Sequence, residues 1–170
     1  EVLVINNLEF DHADIYKDLE QIKVQFHHLV RTMSSETTLV TPMGSTAIEE
    51  VLSLGLWSNL IQYGNESSSK YYYKNLNDDF SNLLFSINGV EGTLEWDQFG
   101  EFNAKNAMSA LISLEHFGVN IIDSINALKK FKGVTRRQEI LLDRENLVII
   151  DDFAHHPTAI QQTLEGLRKK

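Results

Sequence analysis

The sequence contains no cysteine. That excludes disulfides and thiolate zinc sites, and it makes the cytoplasm the natural compartment. No apolar run approaches the roughly 18 residues of a membrane span, so no membrane partner is expected. The opening EVLVINNLEFDH has neither the basic start nor the small-residue cleavage site of a signal peptide. Cations are scarce: 15 Lys plus Arg face 24 Asp plus Glu, for a formal charge of −9. Sequence-independent nucleic-acid binding needs clustered cations, so nucleic acid is not an expected partner. There are two prolines. Pro42 reads as the end of a strand and Pro157 as the opening of a helix.

What is present is material for a core. Apolar residues make up 42% and charged residues 23% of 170 residues, enough for one ordinary domain, or one domain and a piece of another. Glu1 runs straight into a strand-like segment with no initiator Met, which reads as a piece of a longer protein.

The first 63 residues alternate strand and helix patterns. Val2–Ile5 is a β-branched run closed by Asn6-Asn7. Ile15, Leu19, Ile22, Phe26, Leu29 and Val30 recur at helical spacing, which predicts a helix from Ala13 to about Met33 with Asp14 as cap. Residues 37–41 (TTLVT) predict a strand. Ser45 and Thr46, each followed three residues on by Ile48 and Glu49, predict a capped helix to about Leu54. Leu60–Tyr63 is a further strand. This order favours a parallel sheet covered by helices. After the polar loop Asn65–Ser69, three short strands (71–76, 81–87, 92–96) with a turn at Asn88-Gly89 predict an antiparallel meander, at the sheet edge or in a small second sheet. Helices follow at 103–117 and 121–131. A hairpin (137–142, 146–150) is expected around residues 143–145. A last helix opens at Pro157 or Thr158, with Thr158 and Gln161 at capping-box spacing. The expected class is α/β: a mostly parallel sheet flanked by helices with a small antiparallel meander, plus a hairpin and helix that cannot bury both faces alone.

Four polar clusters stand out. Residues 6–14 (NNLEFDHAD) end a strand and enter a helix, where ligands of open parallel sheets bind. Carboxylates beside an imidazole suit a divalent cation such as magnesium, or simply a solvated capped loop. Residues 100–110 (GEFNAKNAMSA) place Asn103 and Asn106 on one helical face. Their amides match the donor and acceptor of an adenine edge, or serve as a cap and a surface residue. Residues 131–139 (FKGVTRRQE) carry two arginines suited to phosphate, or a basic turn in an acidic chain. Residues 148–160 (VIIDDFAHHPTAI) set Asp151, Asp152, His155 and His156 around one strand-to-helix turn, more polar groups than a turn requires. A metal-dependent hydrolase built from Asp11, His12, Asp152, His155 and His156 is a weaker reading, as is a binding module without chemistry. Of the other histidines, at least one of His27 and His28 is expected to be partly buried, and His116 fits a helix C-terminus.

In this order the four clusters resemble motifs of the Mur ligase family, the ATP-dependent amide-forming enzymes of peptidoglycan synthesis. NNLEFDHADIY resembles the Asn-x-x-x-Asp-His-x-Asp motif and GEFNAKNAMSA the Gly-x-His-Asn-x-x-Asn-Ala motif. FKGVTRRQE and DDFAHHPTAI resemble the later arginine and Asp-Asp-aromatic-small-His-His-Pro-Thr motifs. The last two point to the members acting on UDP-N-acetylmuramate. NNLEFDHADIY, FHHLVRT and DDFAHHPTAI are most similar to the recycling branch, which adds the murein tripeptide L-alanyl-γ-D-glutamyl-meso-diaminopimelate. The L-alanine-adding branch is the alternative.

The resemblance implies ATP and Mg2+ as cofactors. It implies His12 as a magnesium ligand and Asn103 and Asn106 at the adenine. Arg137 would face the γ-phosphate and Asp152 the ribose, with His155 and His156 at the nucleotide and substrate junction. His12, Arg137 and His155 are the implied catalytic residues. Phe102 departs from the pattern, standing where the family has histidine. No Gly-x-x-Gly-Lys-Thr loop is present in these residues. The expectation is therefore a later part of the central ATP-binding domain (1–133) and the start of a Rossmann-like C-terminal domain (134–170). That piece is expected to be inactive alone, with at most weak nucleotide affinity.

Overall fold

The structure is a computed structural model that describes residues 1–65 and 69–170. Of the expected Asn65–Ser69 loop, residues 66–68 lie outside the described residues. Three parallel strands come first: β1 (Val2–Val4), β2 (Thr38–Pro42) and β3 (Asn59–Tyr63), in the order β1-β2-β3. Helices α1 (Leu19–Val30) and α2 (Thr46–Ser53) connect them. β2 is the central strand and is buried throughout. Successive side chains of a strand point to opposite faces. Leu39 accordingly packs with Ile22, Val30, Ile48 and Val51 beneath α1 and α2, while Val40 joins the larger core on the other face.

The meander forms its own sheet: β4 (Tyr71–Asn75), β5 (Asn82–Ile87) and β6 (Val90–Glu95). It adjoins the first sheet through a bridge between Gly64 and Tyr72. The β5–β6 loop is the two residues Asn88 and Gly89, both at positive φ (50° and 87°), which the right-handed strand twist demands of a two-residue hairpin. α3 (Glu101–His116) covers this sheet and β2 with Ala104, Ala107, Met108, Leu111 and Ile112. Its small residues let the helix lie close. α4 (Ile121–Leu128) closes the core with Ile121 and Ile125. A side chain at Gly92 would meet Ile125 Cδ1 at 2.6 Å, so β6 and α4 approach through glycine. The chain ends in the hairpin β7 (Glu139–Arg144) and β8 (Leu147–Asp151) and in α5 (Pro157–Lys169). Gly166 of α5 is buried against Phe99 and Gly100.

Local chemistry moved several expected boundaries. α1 starts at Leu19, capped by Asp18, whose Oδ1 accepts the Gln21 N–H at 3.0 Å. Asp14 precedes it in an isolated turn, where the His12 carbonyl accepts from Ile15 and Tyr16. Ile15, counted on the helical face, is 67% exposed. At α2 Ser45 is the N-cap without a side-chain bond, and Glu49 reaches back to the Gly44 N–H. The β7–β8 turn is Glu145-Asn146, because Arg144 pairs with Leu147. His156 is the N-cap of α5, so Thr158 lies inside the helix and caps nothing. His27 is half-buried beside Trp57 and His28 is exposed. His116 ends α3 with Nδ1 3.4 Å from Thr38 Oγ1.

Candidate functional site

The four polar clusters meet. The first leaves the C-terminal end of β1, where Asn6 is half-buried. Asn6 Nδ2 donates to Asn106 Oδ1 of α3 at 3.0 Å. Its own Oδ1 accepts from Tyr63 Oη at 3.1 Å and lies 2.5 Å from Ser109 Oγ. One turn earlier on α3, Asn103 Nδ2 donates to the Phe99 carbonyl at 2.8 Å and to Gln138 Oε1 at 3.0 Å. The Gln138 N–H donates to Asp152 Oδ2 at 2.9 Å, and the Ala154 N–H to Asp152 Oδ1 at 2.7 Å. Four residues on, His156 Nε2 sits 3.0 Å from the Phe10 carbonyl, in the first cluster again. These bonds close a ring through segments 6–10, 103–106, 136–138 and 152–156.

Each expected residue has a definite place on this ring. Asn103 is half-buried, Asn106 exposed, and both line a cavity of about 620 Å3 with Phe102, Ala107, Phe131, Val134, Arg137 and Gln138. Its wall is mainly apolar and carries several amides, the composition that suits a planar heterocycle. Phe102 stands in that wall, and its ring also covers Gly100, where a Cβ would lie 2.7 Å from Cε1.

The two arginines are used differently. Arg136 faces Asp151 across 3.6 Å. Arg137 makes no ion pair among the described residues and lies 5.5 Å from the Phe153 ring centroid, on the cavity rim. It is therefore the guanidinium available for an anion. Asp152 spends one lone pair of each oxygen on a backbone N–H, which fixes its carboxylate and leaves acceptor capacity on both oxygens.

The histidines divide as well. His155 is exposed, with Nδ1 3.0 Å from the Phe153 carbonyl and its ring edge-on to Phe153. Its Nε2 has no partner among the described residues. His156 is half-buried between Phe10 and Glu9, with Nδ1 3.5 Å from Glu9 Oε2. His12 is exposed on a left-handed backbone, φ 55°. Its N–H binds Asp11 Oδ1 at 2.7 Å, and that bond holds the Asp11 carboxyl below its ordinary value. Desolvation opposes that bond, and the imidazoles of His12, His156 and His155 each add a smaller pull in the bond's direction.

No three His, Asp or Glu side chains gather around one point among the described residues. The metal-dependent hydrolase reading therefore lacks its ligand set. A magnesium ion carried on phosphates needs only one or two carboxylates from the protein, and the exposed Asp11 carboxylate beside His12 fits that smaller demand.

Sequence reasoning missed Asn6, Glu9 and Gln138 as members of the ring. Asn6 stood at a strand end and Gln138 directly after two arginines, which were the available signals.

The Mur ligase middle domain family matches residues 1–114. The chain belongs to the Mur ligase family. Over 169 residues it is 38% identical to UDP-N-acetylmuramate–L-alanyl-γ-D-glutamyl-meso-2,6-diaminoheptandioate ligase of Escherichia coli (strain K12), covering 99% of this chain and 36% of that protein. It is 30% identical over 172 residues to UDP-N-acetylmuramate–L-alanine ligase of Syntrophomonas wolfei, covering 98% of this chain and 37% of that one. The crystal structure of a murein peptide ligase from Psychrobacter arcticus 273-4 superimposes with a TM-score of 0.76 at 33% identity, over 99% of this chain and 35% of that one. The chain thus spans about a third of the length of the Mur ligases it matches. The α/β architecture of parallel sheet, separate antiparallel sheet and flanking helices is that of Mur ligase structures.

Proposed function

We propose that this chain carries the adenosine-binding side of an ATP- and Mg2+-dependent ligase. That ligase joins L-alanyl-γ-D-glutamyl-meso-diaminopimelate to UDP-N-acetylmuramate through an acyl phosphate, in cytoplasmic peptidoglycan recycling. The observation that carries the reading is the closed ring: four segments up to 146 residues apart converge, with Asn103, Asn106 and Arg137 lining one cavity and Asp152 bonded to the backbone of Gln138 in its wall. Tripeptide over L-alanine follows the higher identity, 38% against 30%; the L-alanine ligase is the alternative.

The residues divide the work. Asn103 and Asn106 meet the base edge and Asp152 accepts from ribose hydroxyls. Arg137 neutralises charge on the terminal phosphate, and His155 offers its Nε2 beside it. His156 ties the loop bearing His12 to the start of α5, and His12 holds the metal. The bound ion supplies further neutralisation of phosphate charge. His12 and Arg137 serve electrostatics rather than proton transfer. Residues 1–133 are the later part of the central domain and 134–170 the start of the next. No residue after Leu128 enters either hydrophobic core, which supports that division. With no Lys-bearing phosphate loop in these residues, the chain alone binds nucleotide weakly and does not turn over.

The test is calorimetric titration of the chain with magnesium and a non-hydrolysable ATP analogue. Binding that weakens about tenfold in Asp152→Ala and in Asn106→Ala supports the reading. No heat at millimolar analogue overturns the site in this chain. Ligation of tripeptide by the chain alone would overturn its inactivity.

A further inference from the structure

Gln138 is only 8% exposed. Its backbone is nonetheless left-handed, φ 53°, a conformation that non-glycine residues seldom adopt. Two bonds go with this placement. The backbone N–H reaches Asp152 Oδ2 at 2.9 Å, and Oε1 accepts from Asn103 Nδ2 at 3.0 Å. The direction of the second bond is fixed by a third group. Asn103 Nδ2 also donates to the Phe99 carbonyl, which can only accept, so the Gln138 atom facing Asn103 is oxygen. Gln138 Nε2 is then buried without a partner among the described residues. An unpaired buried donor is unfavourable, and an apolar side chain would fill a purely structural position at lower cost. The side chain therefore makes sense through its bond to Asn103, while the backbone N–H of the same residue holds Asp152. It is also in the wall of the cavity that Asn103, Asn106 and Arg137 line.

We propose that Gln138 is a positioning residue for nucleotide binding, fixing the separation between Asn103 at the base and Asp152 at the ribose. This rests on the nucleotide site proposed above. A purine nucleotide must satisfy both ends at once, and unlinked groups would lose conformational freedom on binding that the bridge has already removed. The motifs supply Asn103 and Asp152 as separate parts; Gln138 makes them one unit.

The test is ADP titration of the whole chain, with thermal unfolding run beside it. Gln138→Asn is the informative variant. Asparagine tolerates the left-handed backbone better than glutamine, so folding is preserved, but its amide falls one methylene short of Asn103. The expected result is about fivefold to tenfold weaker ADP binding with an unlowered Tm. In the Asn103→Ala background the same substitution should add little, because both changes break one link. Gln138→Asn binding ADP as tightly as the unsubstituted chain, or the two losses multiplying independently, overturns the proposal. If ADP binding is lost in Asn106→Ala but unmoved in Gln138→Asn, the nucleotide site stands and Gln138 has no part in it. An unsubstituted chain that binds no ADP at millimolar concentration overturns both.

Discussion

In the first 125 residues the strands feed two buried apolar clusters, and β2 is buried on both faces, whereas in the β7–β8 hairpin the same residue types stand in water. Every buried hydrophobic among the described residues falls at or before Ile125. Ile140, Leu141, Leu147, Val148 and Ile149 are between 44% and 60% exposed. α5 repeats the contrast, with Leu164 58% exposed and Gly166 buried against Phe99. The difference teaches that two forces assemble the molecule. Burial of apolar surface holds the sheets and α1 to α4 together. The last unit is held to them largely by polar bonds, those of Gln138, Asn103 and His156.

The largest effect should come from cutting the core and its counterpart in the hairpin. Phe85→Ala, fully buried in β5, is expected to cost about 3–5 kcal/mol. Ile149→Ala, 44% exposed in β8, should cost less than about 1 kcal/mol. Urea unfolding of both variants checks the pair, and equal losses would mean that the hairpin shares the core's stability.

A smaller effect is expected from alkali, and only in the first region, since residues 134–170 contain no tyrosine. Burial pushes the phenols of Tyr63 and Tyr73 above their ordinary value of 10.0, with the Glu101 hydrogen bond adding at Tyr73. The folded chain keeps those protons while the unfolded chain releases them. Their stabilisation is therefore complete below about pH 10 and is lost as pH rises further. Denaturant midpoints at pH 8 and 10.5 should show the fall, and Tyr73→Phe should lessen it, leaving the part that Tyr63 carries. A fall of the same size in Tyr73→Phe would assign it elsewhere.

Smallest of all is the ion pair of Lys132 with Asp97, 2.8 Å apart and more than 70% exposed on both sides. Solvent screens such a pair, so Lys132→Ala should leave the unfolding midpoint unchanged. A measurable drop would show that surface charge adds to the stability of residues 1–133, which hold both partners.

The fold was legible where local chemistry decides it. Asn88-Gly89 between alternating apolar runs specified its hairpin turn, and the β-branched runs specified β1 and β2. The start of α1 was not legible, because Asp14 and Asp18 are equally good caps in sequence and only the bond to Gln21 separates them. Ile15 fitted the helical period by coincidence. At the site, residue types flagged Asn103, Asn106, Arg137 and Asp152. Which of two arginines is already paired, and that His156 meets Phe10, depend on contacts across many residues that no spacing encodes.

The ring has a consequence for the order of folding. Its bonds join residues 100, 35, 14 and 146 positions apart. Contacts across such separations form late, because the chain must first surrender the entropy of closing long loops. The helices and the β5–β6 hairpin can appear early, while the ring closes only when Phe10 and His156 meet. Competence to hold a ligand should then emerge with the slowest refolding phase, which makes the site a clock for completion of the fold.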